Sequence, residues 1–163
     1  MSAEAPALAT GWCTFQVAGG LYGLPVACVH EVLRAQPLTR VPLAPPAVAG
    51  LLNLRGQIVP AVDLRALFGR EPGESPGGLV VVRAADGLTA LIVDGIGDVR
   101  RREGAQEPRE LHRDSPYDAG TLALPDRLLT VLDVDRLLEQ AFEPAGRAPL
   151  AHRRAPAQRL PGE

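Results

Sequence analysis

A chain of 163 residues, 46% of them hydrophobic, can build one compact unit that buries roughly 68–70% of the surface its unfolded form exposes. A formal net charge of −2 and an aromatic content of 4% supply neither the basic field nor the stacking side chains that nucleic acid or anionic lipid would call for. All 17 basic residues are arginine, which excludes P-loop, Schiff-base and lysine-linked cofactor chemistry.

Residues 1–11 lack a basic n-region and an unbroken apolar block, so they read as a flexible N-terminus and not as a signal peptide. No run approaches the ~18 apolar residues of a membrane span. Cys13 and Cys28 have no C-x-x-C spacing and no further partners, as expected of small core residues in a reducing compartment. A soluble, cytoplasmic protein is the expectation. Cys13, Phe15 and Val17 alternate with Thr14, Gln16 and Ala18, the period of a strand, and Gly19 and Gly20 then turn the chain. Tyr22, Leu24 and Val26 resume the alternation. Val26, Val29, Val32 and Leu33 fall at helical spacing and predict a short helix over 26–34. Residues 39–42 predict a brief strand, followed by a proline-rich loop over 43–46.

From Gly50 onward, two strands flank Arg55 and Gly56, where glycine supplies the positive φ of a primed hairpin turn. Residues 64–68 predict a single helical turn, and the proline and glycine of 70–78 a linker. Residues 79–84 and 88–93 are apolar on both faces around Ala85, Asp86 and Gly87, a hairpin of buried strands. Charge dominates 100–116, which reads as a loop with room for a short strand. Strands over 121–124 and 128–134 and a helix over 135–142 complete the ordered part. The proline, alanine and arginine of 143–163 read as a disordered tail.

A repeat organises these elements. Residues 52–67 (LNLRGQIVPAVDLRAL) align with 122–137 (LALPDRLLTVLDVDRL), so that Leu52, Leu54, Asp63 and Leu67 recur as Leu122, Leu124, Asp133 and Leu137. Residues 24–32 align with 91–99, placing Leu24, Val26, Val29, Glu31 and Val32 over Leu91, Val93, Ile96, Asp98 and Val99. Two colinear matches point to a duplicated unit of about 65–70 residues. Each copy would form a small barrel too slight to stand alone, the two sharing an apolar contact.

No catalytic set emerges. His30, His112 and His152 lack acidic or cysteine partners at ligand spacing, so no metal site or cofactor is expected. Ser2, Ser75 and Ser115 sit in loops or termini without a nucleophile elbow. Asp94 with Asp98 and Asp133 with Asp135 could do acid–base work. The simpler reading puts Asp94 in a turn before Gly95 and makes Asp133 and Asp135 helix caps. Arg100, Arg101 and Arg102 read as a solvated face.

Residues 50–65 (GLLNLRGQIVPAVDLR), preceded by 22–26 (YGLPV) and 29–32 (VHEV), resemble the signature of the CheW chemotaxis coupling proteins. Residues 93–99 (VDGIGDV) and 132–138 (LDVDRLL) are similar to that family's second half. The resemblance spans 14–140 and implies an all-β fold of two SH3-like five-stranded β-barrel subdomains packed together. These would be subdomain 1 over about 12–69, a linker at 70–78 and subdomain 2 over about 79–142, forming one domain over 12–142 whose boundary strands can exchange. It implies a non-enzymatic adaptor that bridges the cytoplasmic tip of a methyl-accepting chemotaxis receptor and the regulatory domain of the histidine kinase CheA, and meets the membrane only through those partners. A receptor-array component of a motility or second-messenger pathway that activates no kinase is the alternative. On this resemblance the receptor-facing residues are Val29, Glu31, Gly50, Asn53, Arg55 and Gly56, and the kinase-facing ones Leu79, Val81 and Ala90. An exposed ion pair between Glu31 and Arg55 is expected, since both belong to one barrel.

Overall fold

The computed structural model describes residues 11–74, 77–101 and 115–144. The expectations for the N-terminus through residue 10, the tail from residue 145 and the charged segment 102–114 lie outside the described residues. The elements in chain order are β1 (Trp12–Val17), β2 (Gly20–Pro25), a 3-10 turn (Val26–Cys28), β3 (Val29–Leu33), β4 (Val48–Leu54), β5 (Gln57–Asp63) and α1 (Leu64–Leu67). The second half continues with β6 (Gly78–Ala84), β7 (Gly87–Val93), β8 (Gly95–Arg100), β9 (Asp118–Ala123), β10 (Leu128–Leu132) and α2 (Val134–Ala141). The strands form two five-stranded sheets of SH3-like barrel type, ordered β8-β1-β2-β10-β9 and β3-β6-β7-β5-β4.

The duplication is visible in the hydrogen bonds. Replacing each strand by its counterpart five places along converts one sheet order into the other. The single parallel contact in each sheet keeps the same register: Val131 lies against Gly23 in one and Ala61 against Ala90 in the other. Asp63 N–H donates to the Ala47 carbonyl and Asp133 N–H to that of Tyr117, each at 2.8 Å. Both aspartates then cap their helices, accepting from the N–H of Arg65 at 3.0 Å and of Arg136 at 3.2 Å. Asp135 lies inside the first turn of α2 and does not cap it, a correction to the expected pair of capping carboxylates.

Each sheet takes strands from both halves of the chain. The chain changes sheets between β2 and β3 and again between β7 and β8, within the two segments of the shorter sequence match. The helix expected over 26–34 is absent; three residues of 3-10 turn lead directly into β3. Burial along β3 follows a period of two, with His30 and Val32 exposed and Val29, Glu31 and Leu33 half-buried. Pairing with β6, from Val29 opposite Val82 to Leu33 opposite Leu79, satisfies a backbone that an isolated nine-residue helix would hold only marginally. The counterpart strand β8 escapes sequence reading because Gly95, Gly97 and Asp98 dilute its apolar alternation. The strand expected over 39–42 reduces to one bridge, Thr39 with Leu51.

Three apolar clusters hold the fold. Leu52, Val59, Leu79, Val81 and Ala90 fill one barrel, and Trp12, Leu21, Leu129 and Val131 the other. Between the sheets lies a larger core that includes Phe15, Leu24, Val62, Val80, Val82, Leu91 and Leu137. Strand β6 is therefore apolar on both faces for internal reasons: Leu79 and Val81 point into their own barrel, while Val80 and Val82 face the shared core. Phe15, Tyr22, Phe68 and Tyr117 form a chain of ring contacts, 6.2, 5.0 and 5.5 Å apart in turn, that joins β1 and β2 to the end of α1 and the entry to β9. Burial raises the Tyr117 hydroxyl well above its ordinary pKa and keeps it neutral.

Candidate partner-binding surface

The β4–β5 hairpin turns on Arg55 and Gly56, with φ values of 51° and 88°. Two consecutive positive φ values are those of a type I′ turn, whose twist matches that of the flanking strands. The Gly56 N–H donates to Asn53 Oδ1 at 2.8 Å, so the three residues act as one unit. From this tip the Arg55 guanidinium reaches Glu31 on β3, donating from Nη1 to Oε2 at 2.7 Å and from Nη2 to Oε1 at 2.6 Å. The expected pair is present and is bidentate. Strands β3 and β4 are the two edges of their sheet, so the fork spans the seam of the barrel.

The pair is asymmetric in exposure: the Arg55 side chain is 67% exposed and that of Glu31 20%. The Arg55 hydrogen bonds hold the Glu31 carboxyl below its ordinary pKa and raise that of the arginine. Beside it, Arg83 Nη2 lies 2.8 Å from His30 Nδ1, and His30 Nε2 is 3.8 Å from the same carboxylate. The other barrel has no equivalent pair, since the repeat puts Asp98 at the position of Glu31 and Pro125 at that of Arg55. One barrel alone thus presents a fixed charged feature at this position.

The remaining expected contact residues divide. Asn53 and Gly56 are exposed next to the pair, whereas Val29 is half-buried against the shared core. Gly50 is buried, with the Thr39 carbonyl oxygen 2.5 Å from where a Cβ would stand. Its role is to let the preceding segment lie against β4, and it presents no side chain to a partner. Leu79, Val81 and Ala90 are 1%, 0% and 0% exposed. They lie on the inner strands β6 and β7 and point into their own barrel, so these side chains sit beneath the expected kinase-facing surface and not on it.

One cluster escaped sequence reading. Asp94, in the bend between β7 and β8, accepts from Arg65 Nε at 2.9 and 3.1 Å and pairs with its Nη2 at 2.9 Å. The same carboxylate accepts from the Ala18 N–H at 2.6 Å, in the β1–β2 turn, and Arg65 Nη1 donates to the Glu71 carbonyl at 2.8 Å. The Arg65 hydrogen bond, aided by that from Ala18, holds the Asp94 carboxyl below its ordinary pKa. This joint ties both sheets to α1. Its repeat counterparts are Ala27 and Asp135, so nothing in the duplication signals it. Burial raises the Cys13 thiol, and burial together with Asp135 and Asp133 raises that of Cys28, leaving both protonated and poorly nucleophilic. Among the described residues no helix is long and apolar enough to cross a membrane.

Comparison with known proteins agrees with this architecture. The CheW-like domain family matches residues 12–142. The chemotaxis protein CheW of Treponema pallidum is 31% identical over 134 residues, covering 76% of this chain and 79% of that protein. A gliding motility regulatory protein of Myxococcus xanthus is 34% identical over 144 residues, which are 82% of this chain and 18% of that much longer one. The crystal structure of the scaffolding protein TtCheW from Thermoanaerobacter tengcongensis superposes with a TM-score of 0.72 at 29% identity, covering 86% of this chain and 97% of that one. With the family match over residues 12–142, the Treponema relative and the structural likeness in agreement, this chain belongs to the CheW-like domain family of chemotaxis scaffold proteins.

Proposed function

We propose that this protein is a non-enzymatic cytoplasmic adaptor that couples the cytoplasmic tip of a methyl-accepting chemoreceptor to the regulatory domain of the histidine kinase CheA. The observation that carries this reading is the bidentate Glu31–Arg55 pair on an exposed barrel seam. An ion pair so exposed adds little to stability. Its worth lies in presenting a charge of fixed direction, which steers and orients a partner. Asn53 and Gly56 extend that surface, with Val29 and Gly50 supporting it from below. Leu79, Val81 and Ala90 serve the kinase contact only by setting the shape of the barrel whose outside meets it.

The test is a binding assay with a receptor tip fragment and the CheA regulatory domain. Arg55→Glu is expected to weaken receptor binding about tenfold or more while leaving kinase-domain binding unchanged. Equal loss toward both partners, or toward neither, would remove the receptor assignment. Exchanging both charges, Glu31→Arg with Arg55→Glu, restores part of the affinity where the pair itself is recognised and none where each residue contacts the receptor separately. The second reading is an array component of a motility or second-messenger pathway that binds receptors without activating a kinase; the likeness to a gliding motility regulatory protein favours the motility branch of that reading and does not bear on the kinase. Receptor-dependent autophosphorylation of CheA, measured with and without this protein, separates the two.

A further inference from the structure

At one end of the Glu31-bearing barrel, β5, the β6–β7 turn with the start of β7, and one side of α2 through Phe142 enclose an open groove of about 780 Å³. Its floor is apolar: Ile58 is 59% exposed and Phe142 39%, with Leu88 half-buried between them. Its lining residues include three carboxylates, Asp86, Asp135 and Glu139, and no basic side chain. The matching positions of the other barrel are Gly19, Arg65 and Gly69, so only one of the two ends is acidic. An apolar floor with an acidic rim suits a segment that carries arginines beside a leucine.

The chain itself supplies such a segment. Phe142 forms part of the groove, and beyond Glu143 the chain carries Arg147, Leu150, Arg153 and Arg154, with no further acidic residue until Glu163. Leu150 stands eight positions after Phe142, a reach of up to about 26–29 Å when extended. A short tether also holds the segment at an effective concentration in the millimolar range. We propose that residues 147–154 dock in this groove of their own chain, Leu150 on the apolar floor and Arg153 and Arg154 against the acidic rim. The segment thereby caps one barrel end and competes with any protein that binds there.

The test is amide NMR on the full chain. Arg153→Glu with Arg154→Glu is expected to shift the resonances of Gly87, Leu88, Thr89 and Phe142, leave those of Glu31 and Arg55 in place, and lower the heteronuclear NOE of residues 147–154. Raising the salt from about 0.01 to 1 M, which shortens the Debye length from about 30 to 3 Å, should move the wild-type groove resonances in the same direction. Adding Asp86→Arg and Glu139→Arg to the reversed chain should restore the bound shifts. Groove resonances indifferent to the arginine reversal would overturn the proposal, and so would shifts that vanish on dilution, since those place the segment in the groove of a second copy.

Discussion

Arg55 stands at a left-handed position that glycine adopts freely and that other residues occupy at a cost of about 1–3 kcal/mol. Arg55→Gly therefore separates the turn from the charge: thermal stability should stay within a few degrees of wild type while receptor binding falls about as far as in Arg55→Glu. Loss of the fold in a thermal melt would show that the pair holds the seam closed. Among the described residues the carboxyls held below their ordinary pKa are those of Glu31 and Asp94, and because the exposed Glu31 pair adds little to stability the pH dependence rests chiefly on Asp94. A folded-state pKa below the unfolded one contributes stability that is present above the unfolded value, about 4.3 for Glu and 3.9 for Asp, and is lost as pH falls through the folded value. Urea midpoints should therefore be level from pH 7 to about 5 and drop below pH 4. Arg65→Gln, which removes the main cause of the Asp94 shift, should flatten part of that drop; an unchanged acid limb would refute the link.

At the scale of elements, β6 and α2 show how local choices are over-determined. Leu79 is 1% exposed inside its barrel, and Leu79→Ala removes buried apolar volume at a cost of about 2–5 kcal/mol. With about 2–4 °C per kcal/mol for a chain of this size, the melting temperature should fall by roughly 4–20 °C. Kinase-domain binding measured well below that transition should match wild type; a specific loss would return Leu79 to the interface. Asp133→Ala deletes the cap of α2 and should cost about 1 kcal/mol, read in the same melts. The hairpins and both helices were legible in sequence because their signals are local: Gly56 and Gly87 in turns, aspartates before apolar turns. Strand β3 was not, because Val26, Val29, Val32 and Leu33 fit helical spacing as well as they fit the 3-10 turn and strand observed.

At the scale of the molecule, the two sequence halves cannot form separate sheets, since each sheet draws two strands from one half and three from the other. Fragments 1–73 and 74–163 should each lack a cooperative thermal transition and regain one on mixing, as monitored by circular dichroism. A cooperative melt in either fragment alone would refute the interlocked arrangement. Arg65 and Asp94 come from opposite halves and share one ion pair, so in a double-mutant cycle Arg65→Ala and Asp94→Ala together should destabilise by less than the sum of the two single changes.

The sequence by itself determined the tight turns and the apolar strands, which rest on local spacing, and the duplication and the family signature, which rest on short motifs recurring in order along the chain. It also placed Glu31 and Arg55 together, through family likeness and not through spacing. Only the tertiary structure decided which sheet each strand joins, that Leu79, Val81 and Ala90 face inward, and that Arg65 meets Asp94 across 29 residues. The physical reason is shared: an apolar strand carries the same pattern whether its faces meet its own barrel, the neighbouring barrel or a partner. Which of these it meets is settled when strands from distant parts of the chain pair and enclose a common core.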